Sequence, residues 1–403
     1  MPGYELIGPE ERDAILEWFD SSNGVMFAHG FDKRRNGVYK VREFEREIAR
    51  TVKARHVQVV SSGTAALLVA LHALGVGPGD EVITQSFTFV ATVEAILEAG
   101  ATPVITELDR SLNMSPDHLK ACITPRTKVV IPVHMAGAAA DMDGIMRVAK
   151  EHHLLVLEDA AQAFGGTYKG RYLGTLGDAG VYSFDFAKNI TTGEGGAVVT
   201  NSLPLFEKAR AYHDHGHEYN LAVPRGKDTR SKPGFNFRMT EIQACIGLAQ
   251  LKKLDDIIER QRKNKAAIKA GISSCGLEFR LLHDPDGDIA DTLIFFLESE
   301  EKAKRFAEEL AKRSVGTKNL PDALDWHFAG TWQHMMGHFA KCAGGGRIAS
   351  EARDACACYA AGPRCGCGAL LRRAIALPVN AIMATQEIER VVSAVRDIAS
   401  QVG

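Results

Sequence analysis

His56-Val-Gln-Val-Val60 and the run that follows it, Ser61-Ser-Gly-Thr-Ala-Ala-Leu-Leu-Val-Ala-Leu-His-Ala-Leu74, decide how this chain folds. β-Branched residues bounded by Ser-Ser-Gly predict a short strand over His56 to Val60, and the apolar stretch Thr64 to Leu74 predicts a helix. Moving outward, the couplet recurs. Glu81 to Thr84 reads as a strand and Phe89 to Ala99 as a helix. Pro103 to Thr106, Lys128 to Val133 and Leu154 to Leu157 read as further strands, with the helical stretch Met142 to His152 between the last two. Strands alternating with helices at this spacing predict parallel βαβ units, with ligands at the carboxyl ends of the strands. Upstream, Glu10 to Phe19, with Pro9 in its first turn, and Val41 to Val52 predict helices. Downstream, Gly180 to Phe184 and Gly196 to Thr200 are strands, and Met239 to Leu254 begins a long helix continuing to about Ile268. Thr292 to Leu297, Glu300 to Arg313 and the periodic Ile388, Val391, Val392, Val395 and Ile398 add a strand and two helices. The expected architecture is α/β: a large domain over residues 1–254 with a mainly parallel sheet between helices, and a smaller C-terminal α/β domain over 255–403.

Charge excludes some functions. With a net charge of −2, the 403-residue chain has no electrostatic case for nucleic acid or an anionic membrane. The longest apolar run, Ala65 to Val76, is interrupted by His72 and falls short of a membrane span. Met1-Pro-Gly-Tyr-Glu-Leu has neither a basic nor an apolar leader region, so a cytoplasmic location is the expectation. Cys356, Cys358, Cys365 and Cys367 form a C-x-C…C-x-C cluster with Cys342 upstream. Such pairs fit a tetrahedral metal less readily than C-x-x-C, and a glycine-rich loop is preferred to a metal site.

Four loops after strands carry different chemical types. Ser61-Ser-Gly-Thr64 opens a helix and is either a routine N-cap or a phosphate site. Phe89 follows a strand end and is either core or a plate for a flat heterocycle. Glu158-Asp159-Ala-Ala-Gln162 closes a strand, where an acid is either a cap or the partner of a cation. Last comes Ser183-Phe-Asp-Phe-Ala-Lys188-Asn-Ile-Thr-Thr-Gly193-Glu-Gly-Gly196. A lysine among small and glycine residues is either a solvated side chain in a turn between two strands or one suited to covalent work, because an amine attacks a carbonyl only when unprotonated and desolvation favours that form. Taken together, these are the contacts that pyridoxal 5′-phosphate requires: an anion cradle, a stacking ring, an acid for the pyridine nitrogen and a lysine for the aldehyde.

The ordered segments Ser-Ser-Gly-Thr-Ala-Ala (61–66), Gly-Asp-Glu-Val-Ile (79–83), Glu-Asp-Ala-Ala-Gln-Ala (158–163), Lys188 to Gly196 and Gly-Phe-Asn-Phe-Arg-Met (234–239) resemble the DegT/DnrJ/EryC1/StrS sugar aminotransferases over nearly the whole chain. The resemblance implies a fold-type I pyridoxal-phosphate transferase. It implies that Lys188 binds the cofactor covalently, Asp159 holds the ring nitrogen, Gln162 the ring hydroxyl oxygen, and Phe89 stacks on the ring. Gly63, Thr64 and Ser183 would hold the phosphate. Asn236 would reach it from a second subunit, implying a homodimer with shared sites. A sugar dehydratase on the same fold would lack the lysine, and a silent regulatory protein remains the alternative from another class.

The resemblance implies a keto sugar, either a nucleotide-linked hexose or an octulosonate, that receives an amino group, usually from glutamate. Substrate candidates are His134, His215, His217, Arg35 and Lys40. Metal binding by His213, His215 and His217 lacks a carboxylate frame, and no metal is expected. Met1-Pro-Gly-Tyr-Glu-Leu, Arg35-Asn-Gly-Val-Tyr-Lys40, Asp214-His-Gly-His217 and Gln261-Arg-Lys-Asn-Lys265 resemble the branch containing 8-amino-3,8-dideoxy-manno-octulosonate transaminase. Such a sugar carries a carboxylate, for which Arg34, Arg35 or Lys40 would be the counter-charge. Gly344 to Gly368 departs from the family pattern.

Overall fold

The structure is a computed structural model that describes residues 3–220, 222–321, 324–335 and 366–402. Two helices, α1 (Pro9–Ser22) and α2 (Lys40–Thr51), precede the first strand. The main chain then runs β1 (His56–Val60), α3 (Gly63–Ala73), β2 (Glu81–Gln85), α4 (Val90–Glu98), β3 (Thr102–Thr106), α5 (Pro116–Ala121), β4 (Thr127–Ile131), α6 (Met142–Glu151) and β5 (Leu155–Asp159). A small hairpin, β6 (Thr167–Tyr168) and β7 (Arg171–Tyr172), leads to β8 (Ala179–Ser183), β9 (Gly196–Thr200) and α7 (Leu203–Tyr212). Helices α8 (Glu241–Leu251) and α9 (Leu254–Gly271) follow, where one continuous helix was expected; the break falls at Lys252-Lys253.

The seven-stranded sheet has the order β1-β9-β8-β5-β4-β2-β3. Strands β3, β2, β4, β5 and β8 are mutually parallel, whereas β9 runs antiparallel to both β8 and β1. No helix lies between β8 and β9 to carry the chain back across the sheet, so β9 returns beside β8 in the opposite sense. Phe184 N–H bonds Gly195 O at 2.9 Å, extending the ladder into the loop that carries Lys188. Ala65 to Leu71 of α3 pack under one face of this sheet, while Phe44, Ile48, Ile145 and Val148 of α2 and α6 cover the other.

The rest of the described chain comprises β10 (Glu278–Phe279), β11 (Thr292–Phe296), α10 (Glu300–Lys312), α11 (Leu324–His327), α12 (Gly366–Arg372), β12 (Ala374–Pro378) and α13 (Thr385–Val402). β10, β11 and β12 form an antiparallel sheet. Alternation sends Leu293, Phe295, Ile375 and Leu377 against Phe306, Leu310, Val395 and Ile398, and sends Ile294, Phe296, Ala374 and Ala376 into the cluster beneath the large sheet. With both faces covered, β11 is buried throughout and apolar from Leu293 to Phe296. Helix α9 touches both regions, burying Ile257 and Ile258 with one cluster and Ile268 with the other.

Candidate active site

The carboxyl ends of β1, β5 and β8 converge with the start of β9. Val60 and Ser183 are both register partners of Gly196, so these three strand ends are adjacent. Ser62 caps α3, its Oγ accepting from Ala65 N–H at 3.0 Å. The cap and anion readings are therefore compatible, because the N–H groups of Gly63 and Thr64 have no hydrogen-bond acceptor among the described residues. Gly63 is required by a close approach: a Cβ there would lie 2.8 Å from Ser183 Cβ and 3.0 Å from its Oγ. Gly196 is likewise pressed against the backbone of Ser62 and Gly63. A hydroxyl and free amides thus meet at a helix start, which suits a phosphate.

Strand β5 ends on two acids facing opposite ways. Glu158 is consumed by the fold, accepting from Leu176 N–H (2.6 Å), Gly177 N–H (2.7 Å), Gly174 N–H (2.9 Å) and His134 Nε2 (3.0 Å). Asp159, 4% exposed, takes Thr92 Oγ1 at 2.9 Å and Ala161 N–H at 3.1 Å. Burial raises its carboxyl pKa, opposed by those hydrogen bonds and by the nearby Lys188 amine. A buried acid of this kind calls for a cationic partner. Gln162 is fixed at one end, its Oε1 accepting from Ala136 N–H at 3.1 Å, while its amide nitrogen has no partner among the described residues.

Lys188 is half-buried in the loop between β8 and β9, its carbonyl tied to Gly3 N–H at 2.8 Å. Its ammonium has no ion pair or hydrogen bond among the described residues. Burial lowers its pKa, resisted by Asp185, Asp159 and Asp291 and assisted by Lys318. Phe89 stands at the start of α4, 43% exposed, with the His327 ring 5.7 Å away. An acid, an amide, an aromatic face, an anion cradle and a lysine with a lowered pKa fit pyridoxal phosphate.

The substrate expectations for Arg35, Lys40, His134 and His217 are corrected. Arg35 is fully buried, paired with Glu241 at 2.9 Å and bonded to Gly30 O and Val25 O, so it cannot meet a substrate. Its run of charged neighbours, Asp32 to Arg35, reads as surface, which hides this role. Lys40 pairs with Glu43 at 3.0 Å in a groove between α1, α2 and α8 that contains none of the residues around Lys188. His134 is fully buried with both ring nitrogens engaged, Nδ1 by Ala140 N–H at 3.2 Å and Nε2 by Glu158. His217 is buried between Asp228 (3.2 Å) and Arg230 (3.0 Å), and burial lowers its pKa. His215 is exposed. Asn236 is exposed beside Phe235 and has no hydrogen bond to Lys188, Asp159 or Ser183. Among the described residues no cluster of side chains is arranged to hold a metal, and no helix is long and apolar enough to cross a membrane. Cys342, Cys356, Cys358 and Cys365 lie outside the described residues, while Cys367 is buried and contacts Glu107. Sequence reasoning missed Thr92, Asp291, Lys318 and His327. Thr92 lies in the first turn of α4, three residues after Phe89, whereas Asp291, Lys318 and His327 belong to segments far along the chain from the site motifs.

Comparison with known proteins agrees with this geometry. The chain is 37% identical over 404 residues to the spore coat polysaccharide biosynthesis protein SpsC of Bacillus subtilis (strain 168), covering 98% of this chain and 95% of that one. It is 46% identical over 261 residues to GDP-perosamine synthase of Caulobacter vibrioides, covering 64% and 66% of the two chains. The X-ray structure of an aminotransferase from Psychrobacter cryohalolentis superposes with a TM-score of 0.81 at 29% identity, covering 98% of each chain. Residues 32–341 match the DegT/DnrJ/EryC1/StrS aminotransferase family, and the chain belongs to that family.

Proposed function

We propose that this aminotransferase uses pyridoxal phosphate to move an amino group from an amino acid, glutamate first among candidates, to a keto sugar destined for a cell-surface polysaccharide. The observation that carries the reading is Lys188: an amine with no partner among the described residues and a lowered pKa, in the field of the buried Asp159. Bound there, the cofactor supplies an aldehyde for a lysine and a protonated ring that stabilises the charge left when a Cα–H is removed. Asp159 holds the proton on the ring nitrogen. Gln162 presents its amide nitrogen, and Gly63, Thr64 and Ser183 hold the phosphate. Lys188 Nζ, its neutral form favoured by burial, takes and returns the substrate proton. The exposed Phe235 and Asn236, just before Arg238, whose guanidinium lies 5.9 Å from the centre of the exposed Phe27 ring, support a homodimer in which Asn236 serves the neighbouring site.

Two acceptors are proposed. A nucleotide-linked keto-deoxyhexose is supported by the similarity to GDP-perosamine synthase. An 8-keto octulosonate is supported by the similarities at residues 35–40 and 214–217, although Arg35 is unavailable for its carboxylate. Purified protein should carry a visible absorbance band that bleaches with glutamate, and Lys188→Ala should lose both the band and turnover. Assay of both sugar classes with glutamate then selects the acceptor. Wild-type protein that neither binds the cofactor nor responds to any amino donor would sink the proposal.

A further inference from the structure

One charged pair borders the site without an assigned role. Lys318, between α10 and α11, donates from Nζ to Asp291 Oδ2 at 2.6 Å and to Thr292 Oγ1 at 2.8 Å. An ammonium has three donors, so one remains. The Lys318 side chain is 13% exposed and Asp291 is fully buried, so the pair is held from beneath and opens outward through Lys318. Asp291 Oδ1 lies against Gly137, where a Cβ would be 2.9 Å from it. The adjacent Ala136 is the residue whose N–H fixes Gln162. The pair therefore sits one residue from an anchor of the cofactor site, and the charges of Lys318 and Asp291 both act on Lys188.

Asp291 also acts on Arg280, which is buried and bonds Met135 O at 2.8 Å, and whose pKa burial pushes down to about 10. The other acids acting on Arg280 have partners of their own: Asp288 pairs with Lys265, and Asp109 with His283 at 2.9 Å. Asp291 thus bonds Lys318 and also acts on Arg280, two cations to one carboxylate. A fold gains little from such a buried pair relative to apolar residues of the same volume.

We infer that Lys318, aimed by Asp291 and Thr292, receives a substrate carboxylate and so determines which donor or acceptor the site accepts. This rests on the aminotransferase reading. Two substrates supply that chemistry: the amino-acid donor, and a keto sugar acid if that is the acceptor. It also provides the counter-charge that Arg35 cannot.

The test uses cofactor-loaded wild type, Lys318→Arg, and the double variant Lys318→Gln/Asp291→Asn, which removes both buried charges while keeping polar partners. Cofactor affinity is read from the visible band. Donor half-saturation comes from bleaching by glutamate, and acceptor half-saturation from keto sugars with and without a carboxylate. The double variant should bind the cofactor within about threefold of wild type, yet need about 30-fold more of one carboxylate-bearing partner at little changed limiting rate. A rise for glutamate assigns the donor; a rise for the acidic sugar alone assigns the acceptor. Lys318→Arg should recover most of the affinity. The inference is overturned if both half-saturations stay within about threefold, if the uncharged keto sugar weakens equally, or if cofactor affinity falls by the same factor. Wild type that shows no visible band would instead bring down the cofactor reading on which the inference rests.

Discussion

At Lys188 and Asp159 burial acts on opposite charges with one outcome, favouring the neutral form of each in the cofactor-free protein. Glu158, the next residue to Asp159, is satisfied by three backbone N–H groups and His134; Asp159 is left with two weaker donors and a cost. Because the folded pKa of Asp159 is raised, the stability linked to it is present at low pH and is lost as pH rises from the ordinary carboxylate range through the raised value. Asp159→Asn should therefore raise the melting temperature of cofactor-free protein at neutral pH, by roughly 2 °C for about 1 kcal/mol, and the gain should close near pH 4. In calorimetry, an equal melting temperature at neutral pH would refute that cost. The same variant should cut turnover by about 100-fold or more, since its amide no longer holds the ring proton by charge. Thr92 could keep its hydrogen bond by rotating, because Thr88 Oγ1 lies 2.7 Å away to take the other role.

Among the elements, the start of α3 separates folding from binding most cleanly. Ser62→Ala removes a cap and should cost about 1 kcal/mol of stability with cofactor affinity nearly intact. Gly63→Ala should do the reverse: the new Cβ displaces Ser183, weakening cofactor binding about tenfold, read by titration of the visible band. If both changes affect only stability, this turn does not hold the phosphate. Strands β1 and β9 fall where the sequence places them, because β-branched runs bounded by serine or glycine leave one reading. Helices α5 and α7 and strand β12 were not legible. Six residues carry too little periodicity in α5, and the apolar residues of α7 are largely only half-buried. The sense of β9 was also hidden, since strand pattern does not encode direction. Asp159 could be picked from its neighbour only through the motif around it, as both acids sit in the same strand end.

Over the whole molecule, the Arg35–Glu241 pair joins residues with no local relation, tying the segment before α2 to the first turn of α8. Glu241 also accepts from Val41 N–H at 3.3 Å, across 200 residues of sequence. Arg35→Met strands that buried carboxylate and should destabilise the protein by on the order of 3 kcal/mol. Glu241 has a raised pKa even with Arg35 beside it, so the defect should shrink as pH falls and the acid takes up a proton. Chemical denaturation at two pH values checks this, and a defect independent of pH would contradict it. Such contacts, and that of Lys318 with Asp291 27 residues away, were invisible to spacing rules, because burial of a charged side chain depends on elements elsewhere in the chain. The reversal of β9 carries a further consequence. Its start lies at the same edge as the ends of β1 and β8, so residues 184–195 leave and re-enter the sheet without crossing it. Such a connection is a cassette: its length and lining can be exchanged between related scaffolds without rethreading the chain, while both attachment points stay clamped to neighbouring strands.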